Sequence, residues 1–388
     1  MFPGLSDQLR IREEKGLRRK RLILESPQET HVSIAGRDYL AFCSNDYLGL
    51  ANHPELIQSA CEGAHQYGVG AGASHLINGH TAAHHELEQA LACFAGFPKA
   101  LLFSTGYMAN IGIVTALLGR QDAVFADKLN HASLNDAALL CGAKFIRYPH
   151  LDLVTLEQRL AASHARRKLV VTDTVFSMDG DIAPVNKLTA LCEKYQAMLL
   201  LDDAHGFGVL GKQGKGILYS SDHGNLHAPN IIYMATLGKS AGVFGAFVAA
   251  QPNVIETLIQ YARSYIYTTA TPALLSHALQ KSLMLIEQET WRREKLQQHI
   301  ALLKQALQSL RWQLLPSQTP IQPLIVTEND IAVWLSDALR KKGILVPAIR
   351  PPTVPQGLAR LRISLSASHS KEDIDRLTTA LWELSRHS

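Results

Sequence analysis

The chain has few cysteines and no long apolar run. Five cysteines occur among 388 residues and form no closely spaced pairs, so the sequence indicates neither a disulfide framework nor a zinc motif. No segment approaches the roughly 20 apolar residues that a membrane-spanning helix needs. All five cysteines sit among apolar neighbours, and we expect them to be reduced core residues: Cys43, Cys61, Cys93, Cys141 and Cys192.

A strong charge of either sign is also missing. The 38 basic and 34 acidic residues leave a net charge of +4, which is small for a nucleic-acid-binding protein without a clustered basic patch. The N-terminal residues lack the apolar stretch of a signal peptide. We therefore expect a cytoplasmic protein that binds neither nucleic acid nor membrane.

The length of the chain and the order of its patterns predict two or three domains or subdomains. Residues 1–50 read as a charged helix followed by strand-like pieces, and we expect an N-terminal wrapping segment. In residues 51–280, helical stretches alternate with seven short apolar strands, which predicts a large α/β domain with a mostly parallel sheet. Residues 281–388 combine a long amphipathic helix, two strands and a closing helix, which predicts a smaller α+β domain.

Lys239 is the strongest candidate for a chemical role. It lies in TLGKS, after the apolar strand IIYMAT. A lysine that captures an aldehyde must be able to lose its proton, and a desolvated pocket beside glycines permits this. Gly-Lys-Ser also ends phosphate-binding loops, but the first glycine of that pattern is absent here.

Asp202 and His205 follow the neighbouring apolar strand AMLLL. In an open α/β sheet, ligands gather at the carboxyl ends of the strands. A carboxylate there can keep the pyridine nitrogen of pyridoxal 5'-phosphate (PLP) protonated, and His205 and Ser177 can hydrogen-bond its phenolic oxygen or phosphate. Taken alone, DDAHG is also compatible with a strand-to-helix turn capped by Asp.

Two further segments fit a cofactor of this kind. Gly106 and Tyr107 open a predicted helix after the strand ALLF, and helix N-termini offer backbone N–H groups to phosphate. A simple glycine turn is the alternative. The imidazole of His131, in KLNHASL, can stack on a pyridine ring, although a lone histidine is more often structural.

The glycine-rich segment GVGAGASHLING lacks the preceding strand of a dinucleotide-binding motif, so we expect a tight loop lining the active site. His80, His84 and Glu88 have the spacing of a metal site, but the sequence shows no further ligand cluster. We interpret them as an exposed polar helix face and expect no metal. Arg350, beside the prolines of RPPTVP, can take a substrate carboxylate through two hydrogen bonds, or can belong to a surface loop.

Seven motifs together carry a resemblance that spans nearly the whole chain: SNDYLGL, STGYMAN, NHAS, VFSMDGDIAP, DDAHGFG, TLGKS and RPPTVP. They closely resemble the α-oxoamine synthases. The resemblance implies a fold-type I homodimer with PLP at the subunit interface. The RPPTVP and LSASH forms favour the member of the family that condenses L-alanine with a pimeloyl thioester, carried by coenzyme A or an acyl carrier protein, in biotin synthesis.

The resemblance also implies roles for individual residues. Lys239 would hold the cofactor, Asp202 would pair with its ring nitrogen, and His131 would stack on the ring. The remaining cofactor contacts would be Gly106, Tyr107, Ser177, His205 and Thr236, with Thr268 or Thr269 from the partner chain. The substrate contacts would be Asn45, Arg350, Thr353 and an N-terminal arginine, for which we choose Arg19 over Arg18 or Arg21.

Two alternatives remain open at this point, and a third is disfavoured. A sister synthase using glycine would share the same machinery. An aminotransferase would consume a keto acid and cycle through pyridoxamine phosphate. A PLP-sensing regulator would need a DNA-binding module, for which the chain has no room.

Overall fold

The computed structural model describes residues 2, 4–14, 17–19, 21–220 and 228–386. The helices are α1 (Leu5–Glu14), α2 (Pro54–Tyr67), α3 (Ala82–Ala95), α4 (Gly106–Leu117), α5 (Ala132–Leu140), α6 (Leu153–Ala161), α7 (Val185–Lys194), α8 (Pro252–Tyr261), α9 (Arg263–Ile266), α10 (Ala273–Gln288), α11 (Thr290–Leu307), α12 (Asn329–Lys341) and α13 (Lys371–Ser385). The strands are β1 (His31–Ile34), β2 (Arg37–Ala41), β3 (Lys99–Phe103), β4 (Ala123–Asp127), β5 (Lys144–Tyr148), β6 (Lys168–Asp173), β7 (Met198–Asp202), β8 (Ile231–Thr236), β9 (Ala246–Ala250), β10 (Gln313–Leu314), β11 (Ile321–Thr327), β12 (Ile344–Leu345), β13 (Ala348–Ile349) and β14 (Ala359–Ser364).

A seven-stranded sheet in the order β3-β9-β8-β7-β6-β4-β5 forms the centre of the molecule. The pairs from β8 through to β5 are parallel, and β9 is antiparallel to both of its neighbours. All seven strands expected between residues 51 and 280 are present. The predicted α/β fold with a mostly parallel sheet is confirmed.

The strands are apolar along their length because both faces of the sheet are covered. Leu199 and Leu201 of β7 pack in a core with α3 and α7, whereas Leu200 packs in a second core with α4 and α5. Alternate residues of a strand point to opposite faces, so a strand covered on both sides has no polar positions in its interior.

The C-terminal part of the chain forms a four-stranded antiparallel sheet, β10-β11-β14-β13, packed against helices α11, α12 and α13. A third sheet joins the two ends of the chain. In it β1 and β2 form an antiparallel hairpin, and β12 pairs in parallel with β2, so that Ile344 lies opposite Leu40. Residues near position 40 are therefore fixed against residues about 300 positions later.

The five cysteines differ in their burial. Cys43, Cys61 and Cys93 are exposed and only Cys192 is fully buried, so the expectation of five core cysteines was wrong; apolar sequence neighbours do not bury a residue that faces outward. All five are free thiols. Within the described residues, no helix is both long and apolar enough to cross a membrane.

Candidate active site

Lys239 lies in the turn between β8 and β9, and its amine points at a buried imidazole. The Nζ atom is 2.9 Å from His205 Nε2. Burial lowers the pKa of Lys239 to about 8, although the carboxylates of Asp202 and Asp173 oppose the shift. An amine with this pKa is partly neutral near neutral pH, which is the state in which it can act as a nucleophile or a base.

A chain of hydrogen bonds leads from Lys239 into the protein. The Tyr47 hydroxyl donates to Asn45 Oδ1 at 3.0 Å and lies 2.7 Å from His205 Nδ1. With the Tyr47 proton committed to Asn45, His205 Nδ1–H donates to the Tyr47 oxygen and Nε2 accepts from Lys239. Burial, with the nearby Lys239 charge, lowers the pKa of His205 well below its ordinary value, so the ring is neutral.

Asp202 is the last residue of β7, as the sequence predicts, and its carboxylate is held from two sides. Oδ2 accepts a 2.7 Å hydrogen bond from Asn110 Nδ2, and Oδ1 accepts one of 3.1 Å from the N–H of Ala204. Asn110 lies on α4, so the helix that follows β3 also orients the carboxylate at the end of β7.

His131 is the N-cap residue of α5 and is linked to Asp202 through two side chains. Its Nδ1 lies 2.8 Å from Ser133 Oγ, which accepts a 2.8 Å hydrogen bond from Asn110. The backbone N–H of His131 donates to Asp173 Oδ2 at 2.6 Å. Burial lowers the pKa of His131, which favours a neutral ring that accepts at Nδ1.

The start of α4 presents free backbone donors. Thr105 caps the helix by accepting from the Met108 N–H at 3.2 Å, whereas the N–H groups of Gly106 and Tyr107 donate to no acceptor within the described residues. A Cβ on Gly106 would lie 4.0 Å from the Thr236 Cβ. The predicted phosphate contact on α4 and the predicted cofactor contact at the end of β8 are therefore adjacent.

Arg362 of β14 is a buried cation that the sequence analysis missed. Its guanidinium donates from Nε to the Ser177 carbonyl at 2.6 Å, from Nη1 to Ser364 Oγ at 2.8 Å and from Nη2 to Asn45 Oδ1 at 3.2 Å. It is 6% exposed and forms no ion pair with a carboxylate of the described residues. Its charge contributes to the lowered pKa of Lys239.

Two cavities open onto these groups. One, of about 680 Å³, is lined by Lys239 and Asn45 together with the apolar side chains of Leu22, Leu24 and Leu345. The other, of about 610 Å³, brings Thr353 to the same wall as His131 and Ser177. Both cavities have the volume of a small-molecule site.

Other predicted residues make no described contact with Lys239. The side chain of Arg350 makes no hydrogen bond or ion pair within the described residues, and its carbonyl accepts from the Thr353 N–H at 3.0 Å. No described contact joins Arg19, Thr268 or Thr269 to Lys239. Ser177 lies in the loop beyond β6, which stops at Asp173.

The missed residues left weak signals in the sequence. Asn110 interrupts the apolar helix MANIGIV, and Arg362 interrupts the apolar strand ARLRISL. A polar residue on the buried side of such an element needs a partner. Tyr47 gave no signal of this kind, because a tyrosine in an apolar motif is common in cores.

The comparisons with known proteins agree with this geometry. The chain is 69% identical over 383 residues to 8-amino-7-oxononanoate synthase from Nitrosospira multiformis, covering 99% of this chain and 96% of that protein. Serine palmitoyltransferase from S. paucimobilis, solved with PLP and myriocin, matches with a TM-score of 0.92 at 29% identity and covers 100% of this chain and 98% of that one. The solved structure of 8-amino-7-oxononanoate synthase from Francisella tularensis matches with a TM-score of 0.77 at 32% identity, and the match covers 90% of this chain and 98% of that one.

The resemblance carried by the seven motifs is thus confirmed across the length of the chain. The profile of the family named aminotransferase class I and II matches residues 37–381. This range includes the whole large sheet, Lys239 and the C-terminal strand that carries Arg362. The chain belongs to the aminotransferase class I and II family.

Proposed function

We propose that the chain is a PLP-dependent acyltransferase that condenses L-alanine with a pimeloyl thioester, releasing carbon dioxide, the thiol carrier and 8-amino-7-oxononanoate for biotin synthesis. The observation that carries this proposal is the Lys239 amine, 2.9 Å from His205, with its pKa lowered to about 8 although the charge of Asp202 opposes the shift. Relatives at 55–69% identity over nearly the whole chain are named 8-amino-7-oxononanoate synthase.

The residues present fit PLP. Lys239 offers an amine for its aldehyde, Asp202 a carboxylate for its pyridinium nitrogen, and Gly106 and Tyr107 offer unused N–H groups for its phosphate. His131, on the first turn of α5, would cover the ring. Bound there, PLP supplies an electron sink for the negative charge that develops at the amino-acid Cα.

Lys239 is the group that moves protons. Its neutral amine takes the proton from the alanine Cα and later returns one to the product. His205 accepts a hydrogen bond from the amine and so aims its lone pair. The lowered pKa allows this at neutral pH, where an ordinary lysine would be fully protonated.

Arg362 is our choice for the group that holds the alanine carboxylate. It is buried, has no carboxylate partner within the described residues, and lies beside Asn45 in the chain that leads to Lys239. A guanidinium binds a carboxylate through two parallel hydrogen bonds, which fixes the amino acid relative to the base. Arg350 and Thr353 remain candidates at the edge of the cleft.

The cavity beside Lys239 suits the acyl chain. Leu22, Leu24 and Leu345 provide apolar walls, and methylene groups of the pimeloyl chain would be buried against them. Arg19 precedes Leu22 by three positions in the sequence, and we propose that it meets the terminal carboxylate. We also propose a homodimer in which Thr268 or Thr269 of the second chain completes the phosphate site.

The test is a direct assay of the PLP-loaded protein with pimeloyl-coenzyme A and either L-alanine or glycine. Free thiol and the amino-ketone are quantified by mass spectrometry, and pimeloyl-acyl carrier protein replaces the coenzyme A ester in a parallel reaction. Product with alanine and not with glycine supports the proposal. Product only with glycine would assign the chain to a sister synthase, and activity that depends on a keto acid would indicate an aminotransferase.

A pair of arginine variants assigns the carboxylate site. We expect R362M to raise the KM for alanine strongly and the KM for the pimeloyl donor little, because alanine is the only one of the two substrates that Arg362 is proposed to contact. R350M is the matched control on the neighbouring loop. The reverse pattern would place the carboxylate at Arg350.

A further inference from the structure

Four histidines gather around the start of α3: His75, His80, His84 and His85. The sequence analysis treated His84 as part of an exposed helix face, and this was wrong. His84 is fully buried: its Nε2 lies 2.8 Å from the Thr271 carbonyl, and its Nδ1 accepts from the Thr81 N–H at 3.1 Å. Both ring nitrogens of His84 are therefore committed to the protein.

His85, the residue after His84, belongs instead to a cluster of side chains that can bind a metal. One ligand atom each from His80, His85 and Glu88 lie within 4.8 Å of one another. His85 and Glu88 are one helical turn apart on α3, and His80 lies just before the helix. Residues three apart on a helix share a face, so α3 itself sets two of the three positions.

His80 is oriented by a second histidine. Its Nδ1 lies 3.0 Å from His75 Nδ1, so the two rings share one proton in a hydrogen bond. With that proton on His80, the His80 Nε2 presents a lone pair toward Glu88 Oε2, 4.0 Å away. A hydrogen bond to the far ring nitrogen is the usual outer partner of a metal-binding histidine.

Glu88 supplies a carboxylate with an unused oxygen. Its Oε1 accepts a 2.9 Å hydrogen bond from the Leu102 N–H, which fixes the side chain. No lysine or arginine of the described residues forms an ion pair with Glu88, whose side chain is 14% exposed. A largely buried carboxylate without a countercharge is an environment that a bound cation stabilises.

We propose that His80, His85 and Glu88 form a binding site for a divalent transition metal of the zinc class. Two imidazoles and one carboxylate are ligands that zinc accepts, with solvent at the fourth position. Zinc–ligand bonds of about 2.0–2.1 Å place tetrahedral ligand atoms about 3.4 Å apart. The His80–Glu88 distance must shorten by about 0.6 Å from its present value, and the exposed His85 side chain exchanges its 3.0 Å contact with Gln89 for the metal.

The site is separate from the Lys239 cleft and predicts an effect on stability. It opens onto a cavity of about 470 Å³ lined by residues of α3 and α8, which includes neither Lys239 nor Asp202. A metal there would join the segment before α3 to the helix. Because a ligand that binds only the folded state stabilises it, zinc should raise the thermal unfolding temperature.

The experiment titrates the metal-free, PLP-loaded protein with zinc by calorimetry and with cobalt by visible absorption. We expect one site per chain, a cobalt spectrum without a thiolate charge-transfer band, and a rise in unfolding temperature. H85Q should weaken zinc binding at least tenfold, because it removes one of three ligands. It should leave the fold unchanged, since His85 is exposed and its described side-chain hydrogen bond is to Gln89 alone.

H164Q is the matched control, because His164 is an exposed histidine elsewhere on the surface. It should bind zinc as the unchanged protein does. E88Q, which keeps the acceptor for the Leu102 N–H, should lose the site as H85Q does. Undiminished binding by H85Q, a thiolate band, or the absence of a zinc site would each overturn the proposal.

Discussion

Asp202 and Asp203 are adjacent in sequence, yet they lie on opposite faces of the large sheet and meet different surroundings. Asp202 faces α4 and α5 and accepts from Asn110 and the Ala204 N–H. Asp203 faces the other core and accepts from the Thr174 hydroxyl, the Tyr233 hydroxyl at 2.7 Å and the Ile217 N–H at 2.9 Å.

The two carboxylates also differ in how tightly the protein packs around them. A Cβ on Gly206 or Gly216 would lie 2.1 or 2.2 Å from an oxygen of Asp203, so two glycines close the protein around that side chain. The carboxylate of Asp202 instead acts on Lys239, where it opposes the lowering of the pKa of the amine. The same residue type is therefore a structural group on one face and a group that acts on the candidate active site on the other.

The largest effect should come from removing the amine on the cleft side. We expect K239A to lower the rate of product formation by roughly 10⁴-fold, because the base and the anchor of the cofactor are lost together. Its unfolding temperature should stay near that of the unchanged protein, since the Lys239 amine has one described hydrogen bond. Thiol release measures the activity of K239A, and calorimetry measures its unfolding temperature. Activity within tenfold of that of the unchanged protein would contradict the role of Lys239 as base and cofactor anchor.

The two aspartates should respond in opposite ways to the same substitution. D202N should lower activity by about 10²-fold or more with little change in stability, because an amide cannot hold the pyridinium proton. D203N should destabilise the fold by about 1–3 kcal/mol, since an amide cannot accept from three donors as a carboxylate does. Urea unfolding measures the stability of the two variants, and kcat per folded molecule measures their activity. Equal changes in D202N and D203N would contradict the different roles of the two aspartates.

The pH dependence of stability should also have opposite signs on the two sides. In cofactor-free protein, folding lowers the pKa of Lys239 from 10.5 to about 8, so the unfolded chain holds the extra proton in that window and the free energy of unfolding rises with pH. Folding raises the pKa of Asp203 from 3.8 to about 6, so its contribution falls as pH rises through that window. Each effect is at most about 3 kcal/mol.

Urea midpoints measured against pH test this, with K239M and D203N as the reference proteins that lack each group. The difference between unchanged protein and K239M should grow in favour of the unchanged protein from pH 8 to 10.5. A difference that is flat across that window would mean that the Lys239 amine remains charged in the fold.

The smallest expected effect is that of Y47F, which removes one hydroxyl from the chain between His205 and Asn45. We expect a loss of about 1 kcal/mol of stability and a decrease in activity of a few fold, because His205 keeps its contact with Lys239. Both are measured as above. A decrease as large as that of D202N would show that the hydroxyl acts on the reaction itself.

The sequence predicted the parts of the molecule that depend on local pattern. Short segments of sequence encode the apolar strands, the residues that follow them and the amphipathic helices. Lys239, Asp202 and His205 could therefore be selected from the sequence directly. Asp203 shares the DDAHG motif with Asp202, and period-two alternation alone separates their roles.

The residues that the sequence did not reveal depend on long-range contacts. Asn110 reaches Asp202 from 92 positions away, and Arg362 reaches Asn45 from 317 positions away. No local periodicity encodes such pairs. The same holds for His84, whose partner Thr271 is 187 positions distant and whose burial a helical pattern of polar residues concealed.

The pairing of β2 with β12 has a consequence for when the enzyme becomes active during its synthesis. During synthesis the strands of the large sheet are complete once Ala250 has emerged, whereas Arg362 follows roughly 5–20 s later at ordinary translation speeds. In that interval a nascent chain has Lys239 but lacks Arg362, the arginine that we propose holds the alanine carboxylate, and β2 lacks its partner β12. If Arg362 has the proposed role, a polypeptide that ends before β14 is inactive, and activity indicates that translation has passed β14.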